Sequence, residues 1–259
     1  MKMSAQEFMG QPQRAVTLVG MSGVGKSYLS AKLAGWGWDD YSCDYLIGAE
    51  YLKDLLGSET LMQADNIAAL SEFVGQVGDI ARGGMALQEF QRRQRLYYEA
   101  EVQSLVDARD AIAAAEGDFV LDSSGSICEI EDEGVLEALG QDSLFVYLKV
   151  RQEGHGDILA RAVQYPKPLY FPPSFLMERL ASYQRHFDVD GVEQVDPLAF
   201  LRWVFPFLFE ARLGKYQRLA DAYGVTIYSD RFNGVESQED FLAVIEEALE
   251  KRDERRNMG

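Results

Sequence analysis

The sequence predicts a three-layer α/β fold: a mostly parallel β-sheet with helices on both faces and one helical insertion. Three observations point there. Short apolar runs of strand character alternate with longer stretches of helical periodicity, the pattern that right-handed βαβ crossovers produce. The first run, Ala15-Val16-Thr17-Leu18-Val19, leads into Gly20-Met21-Ser22-Gly23-Val24-Gly25-Lys26-Ser27, which spells the phosphate-binding (P-loop) pattern G-x-x-x-x-G-K-S. The length, 259 residues with 47% hydrophobic and no low-complexity stretch, suits one large domain with a sizeable core.

Taken in order, Ala15 to Val19 is a short buried strand and Lys26 to Leu33 opens a helix that Gly35-Trp36-Gly37-Trp38 ends. Tyr41 to Ile47 reads as a short strand running into a helix. Asp65 is a candidate cap for a helix in which Ile67, Leu70, Phe73, Val74, Val77 and Ile80 recur at helical spacing, before Gly83-Gly84 interrupts it. Ala86 to Ala115 lacks proline and is rich in Glu, Gln, Arg and Ala, which predicts one long helix. Phe119 to Leu121, Ser143 to Val150 and Gly224 to Tyr228 are further strands, and Ser237 to Lys251 is a closing helix. The stretch Tyr165 to Phe209 is proline-rich and dense in Phe, Tyr and Trp, so it predicts a helical lid or insertion within a single domain over 1–259.

The strand–loop–helix setting is what a phosphate-binding loop requires. Its glycines let consecutive backbone N–H groups point inward, and the following helix N-terminus adds partial positive charge at the anion site. The nucleotide-binding set is Gly20, Ser22, Gly23, Val24, Gly25, Lys26, Ser27 and Tyr28. Lys26, expected on the solvent side of the loop, brings charge to the β- and γ-phosphates, and the Ser27 hydroxyl is placed for Mg²⁺. Two carboxylates stand nearby in the predicted topology. Asp44 follows the second strand and either orients an acceptor hydroxyl or caps a helix. Asp122, in Asp122-Ser123-Ser124-Gly125, follows the next strand and either holds Mg²⁺ or closes an Asx-turn.

A net charge of −17 argues against nucleic acid or an anionic membrane as the main partner. Cys43 and Cys128 make neither a disulfide framework nor a metal cluster, and His155 and His186 lack zinc spacing. Met1 to Arg14 carries no apolar core of signal-peptide length, and Leu201 to Phe209 is short and interrupted by Arg202 and Pro206. The expected compartment is a reducing cytoplasm.

Several motifs, in order, resemble the shikimate kinases, small-molecule kinases of the nucleoside-monophosphate-kinase-like group of P-loop proteins. Gly20 to Ser27 matches their P-loop. Asp44-Tyr45-Leu46-Ile47 matches the second aspartate of their D-x-D-x-x-I segment, and Ser123-Ser124-Gly125 falls at their Gly-rich turn. Val146 to Val150 resembles their next strand, Lys167-Pro168-Leu169 the Arg-Pro-Leu of their mobile lid, and Arg212 to Tyr216 with Leu219-Ala220-Asp221 their R-x-x-x-Y…A-D segment. The resemblance implies ATP and Mg²⁺ (Ser27, Asp122), catalytic roles for Lys26, Asp44 and Lys167, and acceptor contacts from Asp44, Gly125 and Arg212. The implied acceptor is a small, anionic, hydroxylated metabolite that Arg212 clamps through its carboxylate or phosphate.

The departures lie on the acceptor side. Ser42 replaces the first aspartate of D-x-D, with Asp122 or Asp40 as stand-ins, and one glycine, Gly125, replaces three. The family's F-R-x-x-E clamp has no clean counterpart, since Phe90 is followed by Gln91 and Arg92, Arg93 and Arg95 are shifted. Gly48 to Met85 and Phe171 to Phe209 are additions to the family core. The expected activity is therefore a Mg-ATP-dependent phosphotransferase. The alternative is an ATP-binding regulatory protein with weak or lost kinase chemistry, whose aromatic-rich insertion meets a protein partner. A third reading is a kinase acting on a protein or a sugar nucleotide.

Overall fold

The computed structural model describes residues 3–56 and 63–257. Five strands, β1 (Ala15–Val19), β2 (Asp39–Ser42), β3 (Phe119–Asp122), β4 (Leu144–Lys149) and β5 (Gly224–Tyr228), form one parallel sheet in the order β2-β3-β1-β4-β5. Every residue of β1 and β3 is buried, which is why both read as unbroken apolar runs rather than alternating ones. At one edge, β2 exposes Asp39 and Asp40, and charge there discourages pairing with another chain.

The helices are α1 (Ala5–Met9), α2 (Lys26–Gly35), α3 (Cys43–Leu46), α4 (Lys53–Leu56), α5 (Gln63–Val74), α6 (Leu87–Ala114), α7 (Glu133–Asp142), α8 (His155–Gln164), α9 (Pro173–Phe187), α10 (Pro197–Tyr223) and α11 (Gln238–Asn257). The chain divides into two compact units. The first, from Met1–Cys43, Val102–Gly154 and Arg212–Gly259, holds the sheet. Its core includes Val16, Leu18 and Val146 from the strands, Leu33 from α2, and Phe241, Ile245 and Leu249 from α11.

The second unit, Asp44–Glu101 with His155–Ala211, is helical and has its own core of Phe90, Phe171, Leu180, Phe200, Val204 and Leu208. Aromatic edges lock it: the Tyr183 ring meets Trp203 edge-on at 5.4 Å. Both additions read from the sequence, 48–85 and 171–209, fall inside this unit. The predicted 165–209 insertion starts where α8 ends, but its far end falls inside an element, because α10 continues unbroken past Phe209 to Tyr223.

Two element expectations are corrected. The helix over 63–74 begins before Asp65, so that residue stands inside it instead of capping it, and the side chains of 63–68 lie outside those described. The helix stops at Val74 because Gly75 takes a left-handed φ of 63°. Val77 is buried through an isolated bridge to Met85 instead, and Ile80 is 70% exposed. The second strand starts at Asp39, two residues ahead of its expected start.

Sheet order positions the site. The connection from β1 passes over β3 to the far edge, whereas the one from β3 passes β1 in the opposite direction to reach β4. Right-handed crossovers put these two connections on opposite faces, which opens a crevice at the carboxyl ends of β1 and β3.

Candidate functional site

The loop Gly20 to Gly25 leaves β1 at this crevice. Gly20 has φ 149°, and a Cβ on it would stand 3.0 Å from the Leu148 carbonyl of β4, so backbone and neighbour both require glycine. Gly23 and Gly25 take left-handed φ values of 82° and 101° with nothing within 4 Å of an added Cβ. Open space, not crowding, surrounds them. Gly25 stands at the N-cap of α2 and offers no side-chain cap, so first-turn N–H groups of that helix are left for an incoming anion. Val24 packs its Cγ2 toward Gly20, and Tyr28 is 67% exposed with the Lys32 ammonium over its ring.

Lys26 is not the solvent-side charge expected from the sequence. It is 7% exposed, and Nζ donates to the Gly20 carbonyl at 2.9 Å and the Met21 carbonyl at 3.4 Å. The loop wraps its own lysine. Asp122, the last residue of β3, lies in the same crevice, 8% exposed and hydrogen-bonded to Ser27. Burial raises its carboxyl above the usual aspartate range, against the lowering pull of the Lys26 charge and the Ser27 hydroxyl. Its Oδ1 is buried without a hydrogen-bond partner. An orphaned carboxylate oxygen is costly unless something binds it.

These donors fit Mg²⁺. It takes oxygen ligands and is usually held by one or two carboxylates together with waters and phosphate oxygens. A Ser27 hydroxyl and an Asp122 carboxylate side by side match that pattern. Among the described residues no group of three or more His, Cys, Asp or Glu forms a dedicated metal cage. Asp40 is no stand-in for the missing acid, being exposed and in register with Val120, upstream of the strand end. Ser42 is the residue in register with Asp122.

A second polar cluster adjoins the loop. After β3, the Ser123 hydroxyl donates to the Leu18 carbonyl of β1 at 2.7 Å, tying the turn back to the central strand. An added Cβ on Gly125 would lie 3.4 Å from the Ser22 amide nitrogen, so this turn rests against the Gly20–Gly25 loop. The Gly125 carbonyl accepts from Arg212 Nη1 at 3.0 Å and from the Tyr216 hydroxyl at 2.6 Å, both on α10. Arg212 Nε donates to Glu129 Oε1 at 3.0 Å, and Lys215 donates to the other oxygen of the same carboxylate. Tyr216 stacks on Tyr147 of β4 at 5.3 Å. Burial pushes the neighbouring Cys128 thiol up to about 12, which leaves it protonated and unreactive.

Arg212 therefore corrects the expectation of a clamp open to ligand. It is 3% exposed, and its partner is Glu129, not the adjacent Glu210 or a surface acid. Glu129, 4% exposed, is the residue that sequence reasoning missed. Its signal was present: an acid inside the apolar run Ile127-Cys128-Glu129-Ile130 demands a buried partner.

Lys26, Ser27, Asp122, Gly125 and Arg212 are thus brought together in the first unit. Asp44 and Lys167 belong to the second. Asp44 is the second residue of α3, in its first turn and not at its N-cap. Lys167 is exposed on the segment before α9. Arg92 and Arg93 are bound to Glu89 on their own helix. Among the described residues no helix is long and apolar enough to cross a membrane.

No protein-family model and no curated protein matches the chain. Among solved structures it is similar to a shikimate kinase from Bacteroides thetaiotaomicron, at 16% identity and TM-score 0.48, covering 92% of this chain and 98% of that one. A shikimate kinase from Acinetobacter baumannii in complex with shikimate gives 16% and 0.46, covering 95% and 98%. A sugar kinase from Janibacter sp. HTCC2649 gives 17% and 0.29, covering 82% and 99%. Likeness at these scores transfers neither substrate nor residue roles.

Proposed function

We propose that this protein is a Mg-ATP-dependent phosphotransferase that phosphorylates a hydroxyl on a small anionic metabolite. The observation that carries it is the crevice where Lys26, Ser27 and the partnerless Oδ1 of Asp122 meet beneath an open, glycine-lined loop. Asp122 and Ser27 would hold Mg²⁺, which when bound spreads charge off the β- and γ-phosphates. Lys26 exchanges its loop carbonyls for phosphate oxygens, and the backbone N–H groups of Gly23 to Ser27 orient the triphosphate. Asp44 receives the acceptor's hydroxyl proton as that oxygen bonds to the γ-phosphorus and ADP leaves. Lys167 brings further positive charge, and the 165–209 stretch excludes water as a lid. Arg212 acts on the acceptor side by holding the Gly125 carbonyl, with Glu129 keeping it in place. The protein works in the cytoplasm on this reading.

A screen of hydroxylated carboxylates and phosphate esters for acceptor-stimulated ADP release tests the proposal. Strong stimulation by one compound, abolished in Lys26→Ala and cut by about 10²-fold or more in Asp44→Asn with ATP affinity retained, is the expected result. Slow ADP release that no acceptor stimulates selects the alternative, an ATP-binding regulatory protein. One observation favours that alternative: Ser42 stands in register with Asp122, so this strand-end position carries a hydroxyl where the resemblance implies the first aspartate of D-x-D.

A further inference from the structure

On the opposite edge of the sheet from β2, a groove of about 590 Å³ runs along β5 between α10 and α11. All five residues of β5 line it. So do five cations, Arg151, Arg231, Lys251, Arg252 and Arg255, against two acids, Asp221 and Glu247. The chain as a whole has the reverse bias, 25 basic to 42 acidic residues. Positive charge has been gathered in one place on a strongly negative protein.

The cations are ordered, and the acids beside them neutralise them only in part. Arg151 lies over the Tyr228 ring at 4.0 Å and is fixed at its other side by Asp230 at 2.6 Å. Glu247 alone serves both Arg231 and Lys251, which leaves surplus charge at the centre of the groove. Arg252 is paired with Asp253 and reaches across to the Gly224 carbonyl at the start of β5. Val225, Ile227, Val244 and Ala248 add apolar lining. Edge strands often carry basic residues only to deter pairing. That role needs scattered charge, not a cavity of ligand size with an aromatic platform and an apolar floor.

We propose that this groove binds a small molecule bearing two or more negative charges, phosphate or carboxylate, beside an apolar or planar portion. Guanidinium forks match both anions in bidentate fashion. A small anion fits better than an acidic protein segment, because a macromolecule would bring its charge against the remaining surface of a −17 chain. A second copy is disfavoured too, since symmetric pairing of β5 edges sets cation against cation. The site shares no residue with the proposed phosphotransferase site and stands or falls apart from it.

The test is calorimetric titration of inorganic pyrophosphate and, separately, citrate, into the full chain, Lys26→Ala, Arg231→Ala/Lys251→Ala, and the triple variant. Lys26→Ala removes the loop site, so anion binding that survives in it reports the groove. The expected result is one retained site in Lys26→Ala, weakened by about tenfold or more in the triple variant and further by added KCl. Retention for pyrophosphate alone assigns the groove to phosphates, and for citrate alone to polycarboxylates; either upholds it. Arg231 and Lys251 are half-exposed surface side chains, and circular dichroism verifies the fold of every variant. Loss of all anion binding in Lys26→Ala, or equal binding with and without the groove cations, overturns the proposal.

Discussion

Two buried polar clusters adjoin one another in the sheet-bearing unit, and they are finished differently. Around Glu129 both carboxylate oxygens accept from cations, and the Gly125 carbonyl accepts from two donors. Around Asp122 one oxygen has no partner, burial lifts the carboxyl, and Gly23 and Gly25 of the adjoining loop open onto empty space. A completed network fixes shape, because every member would lose by moving. An incomplete one stores an unmet interaction that a ligand can supply. On the proposed function, the contrast marks the Asp122 cluster as the ligand site and leaves Arg212 the role of holding shape.

Removing a partner from the completed cluster is expected to have the largest effect. Glu129→Ala takes away the carboxylate that faces the buried Arg212 charge, so urea unfolding is expected to register a loss of about 3–5 kcal/mol. A loss under about 1 kcal/mol would mean that water or another group already serves Arg212, and the contrast would fail on that side.

Asp122→Asn probes the incomplete cluster. A carboxyl raised by burial contributes stability that is fully present below the ordinary aspartate range and lost as pH rises through its raised value. The ligand-free parent therefore loses stability toward neutral pH at this group, and the asparagine variant does not. Melting temperatures across acid to neutral pH are expected to move in the variant's favour as pH rises, while its gain from added Mg-ATP shrinks. A parallel pH response in both proteins would remove the evidence for a strained carboxylate.

Tyr216→Phe sharpens the comparison with the smallest change. It deletes one of two donors to the Gly125 carbonyl and keeps the stack on Tyr147, so about 0.5–1.5 kcal/mol is expected in unfolding, with ATP affinity unchanged. Weaker ATP binding in this variant would show that the turn shapes the phosphate loop through Ser22.

The sequence was most informative where structure is local. β1 and β5 match their predicted runs residue for residue, and the G-x-x-x-x-G-K-S pattern lies between a strand and a helix as its spacing implies. Legibility failed wherever a partner lies far along the chain. Glu129 and Arg212 are 83 residues apart, so nothing local to Arg212 named its partner. Two of the four unit boundaries fall inside the long helices α6 and α10, where no glycine cluster or loop marks a change of core. Val77 kept helical spacing while belonging to a bridge, because burial, which the spacing reports, was achieved by other means.

The central claim, that the Lys26–Ser27–Asp122 crevice takes a metal-bound nucleoside triphosphate, is tested most directly by titrating ATP into parent and Lys26→Ala at saturating Mg²⁺. The account predicts a single Mg²⁺-dependent site in the parent, weakened by about 30-fold or more in the folded variant. Equal affinity in the two proteins, or a parent that binds no ATP, would contradict it.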